Sequence, residues 1–537
     1  MHPSARRLSL LLPLFVAAAL PHAPLRAQSA PANTLPAWSH VVTPGGWAED
    51  RLRLSQLAGR APTAGFLLRT ASALAPAPPA GPLVLLLPEA RLVHNSNLPF
   101  SLNQGGMHAG RGANLLVSAG VRAHAGPVSV TLFPRFIREG NREFQTLVYA
   151  GDEARSPFAS PWHWGIESAD LPLRFGRRSR IRAGLGESAV TVTAGAVRAG
   201  ASTESQWWGP GVRNALVLSS NAGGFPHLFL ATSRPLRTRA GTVEARWILG
   251  RLSQSAYFDT LTNRPRALSG VVATLQPAFD PGLTLGFART VYGPAGGAGR
   301  AFDAFRGVGH PNVTAAGDTA RAPGEGRDQV ASVFFRWVFP ASGLEAYGEW
   351  ARTDLPSSLR DLLEQPDRSQ GYTVGAQWAA PAGAGLVRVQ AEATTLEQTP
   401  RAGKRVASFY TSRAVPQGYT HRGQVLGAAI GPGGSGQWLA ADYVRPGWRA
   451  GALAGRIRWE NDAMYRLAPQ PSPNAHDVSV FAGARGAYRV GPFDLAAELV
   501  VGRRANYLFQ NVATGTERRT VDVPNRTLTL TLSPAPR

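Results

Sequence analysis

Gly241–Leu252 reads GTVEARWILGRL, and its alternation decides the fold. Val243, Ala245, Trp247 and Leu249 fall on one side of an extended chain, Glu244 and Arg246 on the other. Side chains of a strand point alternately to opposite faces, so a period of two predicts a half-buried strand. The pattern recurs in VASVFFRWVF (Val330–Phe339), where Val333, Phe335, Trp337 and Phe339 oppose Ser332, Phe334 and Arg336. Phe334 is the apolar exception among those three. GLVRVQAEATTLE (Gly385–Glu397) sets Val387, Val389, Ala391 and Ala393 against Arg388, Gln390, Glu392 and Thr394. RTLTLTLS (Arg526–Ser533) sets Leu528, Leu530 and Leu532 against Thr527, Thr529 and Thr531.

From Ala113 onward such segments, closed by Gly, Pro or Asp, follow one another for over 400 residues without a convincing amphipathic helix. A soluble sandwich alternates too, but such domains run to about 100 residues. Trp247, Trp350, Trp378 and Trp459 lie near strand ends, as the interface girdles of membrane barrels do. At roughly 24 residues per strand and turn, the span holds about 16–18 strands, within the range of such barrels. No blade repeat of about 40–50 residues points to a propeller.

The rest of the composition is compatible. Hydrophobic residues make up 44% and mean hydropathy is -0.12, too low for a bundle of membrane helices. A barrel averages its lipid face and polar lumen to such a value. With no cysteine, disulfides and thiolate metal sites are absent. The net charge of +22 comes almost wholly from Arg, with Lys404 as the single lysine. No basic run or DNA-binding spacing accompanies it, so no nucleic-acid partner is expected. Arg binds carboxylates and phosphates bidentately, which suits acidic glycans and lipid headgroups.

Residues 1–27 have the parts of a signal peptide: Arg6 and Arg7, an apolar Leu8–Leu20, and cleavage after Ala27. Residues 28–105 read as a periplasmic helical and linker region. Within it AEDRLRLSQLAGR (Ala48–Arg60) has an acidic first turn and Leu52, Leu54 and Leu57, while 71–88 is Ala/Pro-rich. Residues 106–537 read as the barrel. Its lumen carries charge, with Glu345, Tyr347 and Glu349 on one face and Arg456, Arg458 and Glu460 on another. Such groups build either an ion-pair lattice that fills the lumen or the lining of a channel or glycan surface.

Catalytic patterns are weak. No G-x-S-x-G elbow occurs, and GPGGSGQ (Gly431–Gln437) reads as a turn. His421 in GYTHRGQ is a possible base for a barrel hydrolase, but no particular Ser accompanies it. Histidines show no metal-ligand spacing, and the Glu345/Glu349 pair fits a polar lumen as well as a glycosidase. No catalytic residue, metal or cofactor is expected. Carbohydrate binding fits better, because Trp and Tyr rings cover apolar sugar faces while Asp, Glu, Asn and Arg meet hydroxyls. These types concentrate in QWWGPGVRN, LEAYGEWARTD, QGYTHRGQ and WRAGALAGRIRWEN.

In order along the chain come GRGANLLVSAG (Gly110–Gly120), GESAVTVTAGAVRAGASTESQWWGPGVRNALVLSSNAGGFPH (Gly186–His227) and GLEAYGEWARTD (Gly343–Asp354). PQGYTHRGQVLGAAIGPGG (Pro416–Gly434), GRIRWEND (Gly455–Asp462) and NAHDVSVFAGARG (Asn474–Gly486) follow. In this ordered set the chain resembles the capsule-assembly Wzi-type outer-membrane proteins over nearly its whole length. AEDRLRLSQLAG with PTAGFLLRT is similar to that family's periplasmic helical portion.

The resemblance implies an all-β protein: a large antiparallel transmembrane β-barrel of about 18 strands with a small N-terminal periplasmic helical region. It further implies an outer-membrane, lectin-like protein without enzymatic activity, which binds capsular or other surface polysaccharide and helps attach it. Expected contacts to sugar are Trp207, Trp208, Arg213, Asn214, Asn221, His227, Glu349, Asp354, Tyr419, His421 and Arg422. Outer-membrane lipid, lipopolysaccharide and the barrel-assembly machinery are the other expected partners, and a monomer is expected. The chain ends LTLTLSPAPR, not on the aromatic residue typical of barrel-assembly signals. The alternative functions are a porin or transport channel and, behind it, a barrel hydrolase. QWWGPGVRNALVLSSNAGGFPHLFLAT (Gln206–Thr232) reads as two wall segments joined at Gly and Pro corners, with Trp207 and Trp208 on opposite faces.

Overall fold

The computed structural model describes residues 41–74, 83–147, 155–259, 265–296, 298–305, 326–353, 359–398, 407–467, 473–514 and 517–535. The expected signal peptide and Asp354 lie outside them. Among the described residues, 18 antiparallel strands close into one barrel. The wall begins with β1 (Leu83–Asn95), β2 (Gly112–Ala125), and β3, which is broken into Val128–Leu132 and Arg135–Glu139. Next come β4 (Arg180–Gly184 and Ala189–Ala194), β5 (Val197–Ser202), β6 (His227–Thr232), β7 (Gly241–Leu252) and β8 (Arg266–Pro277). β9 to β13 are Leu283–Pro294, Asp328–Phe339, Leu344–Arg352, Gln370–Ala382 and Gly385–Thr395. β14 to β18 are Ser435–Arg445, Trp448–Arg458, Val478–Val490, Phe493–Ala505 and Val523–Pro534.

Sequence neighbours pair throughout, and β1 closes the ring on β18 in the register Ala90↔Leu532 to Asn95↔Thr527. The barrel therefore starts earlier than the expected boundary near residue 105, because LVLLLPEARLVHN is a wall strand. Its alternation is interrupted at Pro88, where the register with β2 shifts between Leu86 and Glu89. A bulge is where a strand tolerates a residue without an N–H, and it hides the period of two from a sequence reading.

One end of the barrel carries tight turns, such as those between Ala382 and Gly385 and between Arg445 and Trp448. The other carries long connections, among them 140–179 and 396–434. Short periplasmic and long external loops are the outer-membrane pattern, which orients the tight-turn end toward the periplasm.

The alternation reads out as expected except at Arg456 and Arg458, which the register Leu439↔Ala454, Gln437↔Arg456 and Ser435↔Arg458 sets on the outward row instead of in the lumen, while Leu453 and Ile457 point inward. Leu228, Leu230, Val333, Phe335, Leu439 and Val501 stand exposed on the outer wall, while Arg246, Arg336, Arg388, Gln390 and Glu392 are buried within. Phe334 faces inward as its position requires, and it packs into an apolar cluster inside the lumen. Trp459 departs from its expected place in a girdle: its indole N–H donates to the inward Ser479 Oγ at 2.8 Å.

Helix α1 (Trp47–Leu57) lies in the lumen at the tight-turn end rather than outside the barrel. Glu49 and Asp50 sit in its first turn, where carboxylates offset the partial positive charge of the helix start. Leu54 and Leu57 pack on Val338 and Ala379 of the inner wall.

Candidate functional site

After Ser202 the chain leaves the wall, and it returns at His227, the register partner of Ser202. Residues 203–226 therefore run through the lumen, not along the wall as the sequence suggested. Trp207 and Trp208 form a two-residue strand with Leu68 and Arg69. Their rings are 1% and 0% exposed. The Arg69 guanidinium lies 4.9 Å from the Trp207 ring centroid, and Trp208 joins Phe66, Leu216, Leu268 and Val272 in the lumen cluster. In a wall strand these rings would oppose each other across the sheet; inside a plug, protein covers both.

The turn that follows explains two glycines. Gly209 has φ of +100°, and a Cβ there would come 3.1 Å from Glu349 Oε2. At Gly224 a Cβ would meet the Thr203 carbonyl at 1.8 Å, so the plug's exit packs directly on its entry.

Inward carboxylates of the wall hold the plug by its backbone. The Glu392 carboxylate accepts from the N–H groups of Val212, Arg213 and Asn214 at 2.6, 3.1 and 2.8 Å. The Tyr347 hydroxyl donates to the same carboxylate at 2.9 Å. Glu349 accepts from the Leu216 N–H at 3.0 Å. Glu187 accepts from the N–H and Oγ of Ser205 at 2.9 and 2.8 Å and meets Arg135 at 3.1 Å. Each bond satisfies a donor that would otherwise be buried without water.

From the long-loop end, residues 407–434 fold down onto the plug. The Tyr410 hydroxyl donates to the Leu216 carbonyl at 2.7 Å and accepts the Ala428 N–H at 2.9 Å. The Tyr419 hydroxyl bonds the Val217 carbonyl and Thr290 Oγ1, each at 2.8 Å. Asn221 Nδ2 donates to the Val425 carbonyl at 3.0 Å.

At the tight-turn end α1 is locked by charge. Arg53 and Arg336 share Glu345, with Arg53 Nε at 2.9 Å and Arg336 Nη2 at 2.8 Å. Arg388 bridges Asp50 and Asp442, each at 2.9 Å, and Arg449 also reaches Asp50. Arg51 meets Asp494 at 2.8 Å. The Arg388 and Arg449 guanidiniums beside Asp50 hold its carboxyl well below the usual range against the opposing effect of burial.

Most of the expected sugar contacts are thus parts of this packing. Trp207, Trp208, Asn214, Asn221, His227, Glu349, Tyr419 and His421 are all buried. Arg213 is half-buried and Arg422 exposed. Residues outside that set do more to build the site: Glu392, Glu187, Arg388, Arg53 and Asp50. Their sequence signal was only a charged position on the inner side of an alternating strand or in the first turns of α1.

Space remains beside Arg213. Two polar cavities of about 120 Å³ each share Gly45, Gly46, Trp47, Val212, Arg213 and Glu498. Both fall below the ~300 Å³ where small-ligand sites begin. They suit ordered water rather than a passing saccharide.

His421 is not arranged as a base. Its Nδ1 accepts the Ser253 N–H at 3.1 Å, and Nε2 has no hydrogen-bond partner among the described residues. Burial, then the nearby Arg422, Arg266 and Arg182, hold its pKa well below the ordinary value, so the ring is neutral at neutral pH. Glu345 and Glu349, the pair a glycosidase would need, are engaged with α1 and the plug. Among the described residues no three His, Asp or Glu side chains gather as metal ligands.

The fold and its filled interior define an outer-membrane-type β-barrel occluded by its own chain. The sequence profile of the capsule assembly protein Wzi family matches residues 93–443, more than half of the 537, and the chain belongs to that family. Among solved structures it is similar to Wzi of Escherichia coli, described as an outer-membrane carbohydrate-binding β-barrel involved in group 1 capsule assembly. That likeness has TM-score 0.52 at 13% identity and covers 92% of this chain and 89% of that one. Pseudomonas aeruginosa OccK7 matches at TM-score 0.37 and 10% identity, covering 83% of this chain and 97% of its own. A BenF-like porin of Pseudomonas fluorescens Pf-5 matches at 0.36 and 8%, covering 83% and 98%. Similarity at that level carries no functional argument. No curated protein sequence matches the chain.

Proposed function

We propose that this protein binds a surface polysaccharide at the outer membrane and helps its assembly or attachment there, acting by binding and not by catalysis. The filled lumen of a barrel in this family carries the reading. A path closed by α1, by 203–226 and by 407–434 favours retention of a polymer over its transport. Export by residues 1–27, insertion by the barrel-assembly machinery and a monomeric state complete the proposal.

Contact with the glycan falls to side chains that remain available at the long-loop end. Arg422 is retained from the expected set as the exposed one, whereas Arg213 sits half-buried in the lumen beside Gly45, Gly46 and Trp47. Arg177, Arg178 and Arg413 are exposed on the same loops, and Trp164 is 50% exposed. Guanidiniums there suit an acidic polymer, and the indole offers a ring face to a sugar.

The test is glycan-array and capsule-retention binding with the purified barrel. Replacing Arg177, Arg178, Arg413 and Arg422 by Ser is expected to weaken binding of an acidic polysaccharide about tenfold or more, because hydrogen bonds to charged groups are lost. Absence of glycan retention together with large steady ion currents would instead make the protein a channel.

A further inference from the structure

The detour of the plug leaves a mark on the outside of the barrel. β5 and β6, which flank the excursion, have six residues each, whereas β7 and β8 have 12 each. Beside these short strands the outer wall is indented into an open groove of about 590 Å³. Its long wall is an outward row in register, Val190↔Ala201, Ala201↔Leu228 and Leu228↔Leu249. Val190 and Leu228 are 48% and 54% exposed, so the row is continuous with the lipid-facing surface. Ala201, the small residue at its centre, makes the depression, whose lining is overwhelmingly apolar.

The end of the groove toward the long loops is different. Arg251 lies outward two residues beyond Leu249, is exposed, and makes no side-chain hydrogen bond or ion pair among the described residues. Across from it a short helix, Ala298–Phe305, lies on the outer face of the wall. The indole N–H of Trp247 donates to its Ala301 carbonyl at 2.9 Å, and Trp247 stacks on Phe302. This helix brings Arg300 to the rim of the groove. Arg300 approaches Asp303 only at 3.7 Å, and its buried Nη1 has no hydrogen-bond partner among the described residues.

A groove open to lipid, apolar along its length and headed by two guanidiniums at the outer-leaflet level, matches an amphiphile of one kind. We propose that it holds an acyl chain of a phosphorylated outer-leaflet glycolipid of the lipid A type, with Arg251 and Arg300 on its phosphate. The volume lies within the ~300–1,000 Å³ of small-ligand sites. Paired guanidiniums recognise phosphate through charge-assisted, bidentate bonds. The inference uses the outer wall alone and stands independently of the polysaccharide reading.

Native mass spectrometry of the purified full chain tests it, with bisphosphorylated lipid A, dephosphorylated lipid A and phosphatidylethanolamine as probes. The intact protein is expected to retain one bisphosphorylated lipid A and to hold the dephosphorylated form about tenfold more weakly. Ala201→Trp, which fills the groove from its lipid side, is expected to abolish retention of both. The pair Arg251→Ser and Arg300→Ser is expected to erase the preference for phosphate while leaving heat-modifiable gel mobility unchanged. These surface positions carry the test even where Ala201→Trp folds poorly. Equal retention of all three lipids, or wild-type phosphate preference in the arginine pair, would overturn the proposal.

Discussion

Glu392 shows how much a single inward side chain does here. Its carboxylate closes three plug N–H groups and accepts from Tyr347, at a position 4% exposed. Glu392→Ala leaves those donors buried without partners, and each unsatisfied group costs about 1–3 kcal/mol. A loss of roughly 3 kcal/mol is expected, since relaxation and water recover part of the sum. Denaturant unfolding of the barrel in detergent measures it, with Glu392→Gln, which keeps one acceptor, expected to lose less.

Asp462 makes the opposite kind of contribution. Burial raises its pKa to about 7, only partly offset by the Gln398 N–H that it accepts at 2.9 Å and by Arg466. A carboxyl whose folded pKa is raised favours the fold while protonated, fully below its unfolded value of 3.8. That contribution is lost as pH rises through the folded value. Stability is therefore expected to fall between pH ~4 and ~7 by on the order of 4 kcal/mol from this group. Asp462→Asn should flatten that part of the profile. An unchanged slope of unfolding midpoint against pH in the variant would show that the carboxyl is not the source.

At the scale of elements, α1 is a stopper held by charge more than by apolar packing. Leu54 and Leu57 meet one small apolar patch and Ala48 and Leu52 only the edge of the lumen cluster, whereas Asp50, Arg51 and Arg53 all pair with the wall. Arg53→Glu sets a second carboxylate against Glu345, and like charges at a buried site cannot both be accommodated. The helix is expected to leave the mouth while the barrel remains closed. Trypsin cleavage after Arg60 should then quicken about tenfold or more, as local opening no longer costs the buried pairs. Band patterns from limited proteolysis, beside unchanged heat-modifiability, check both halves of that expectation.

The same scale shows where sequence was readable. Long alternating runs such as Gly241–Leu252 and Gly385–Thr395 gave correct strands and faces, because one side meets lipid and the other a polar interior. β1 escaped because Pro88 and its bulge break the period. Gln206–Pro226 was misplaced for a different reason. An apolar run flanked by Gly and Pro has the same local appearance in a wall strand and in a chain buried within a lumen.

For the whole molecule, the occluded lumen predicts electrical silence. Purified protein in a planar bilayer is expected to give no large steady conductance. Excising residues 205–226 should open a pore without breaking the wall, because Ser202 and His227 are already register partners and the two residues left between them span a tight turn. Conductance that appears in this variant but not in the intact barrel would confirm that the plug is the gate. Equal currents in both would show that the plug does not close the path.

The sequence by itself determined the barrel. A period of two sustained over hundreds of residues has one stable outcome at a membrane, a closed sheet with lipid outside and charge within. It also placed Glu349, Arg388 and Glu392 on the inner face. Only the tertiary structure decided what those charges meet. Their partners lie far along the chain: Glu392 on Val212, Arg388 on Asp50, and Glu345 on Arg53. No local pattern encodes such pairings, which arise when barrel closure brings distant segments into one lumen too dry to leave a donor or a charge alone. Closure thereby made the tryptophans of QWWGPG part of a core instead of a sugar-facing surface.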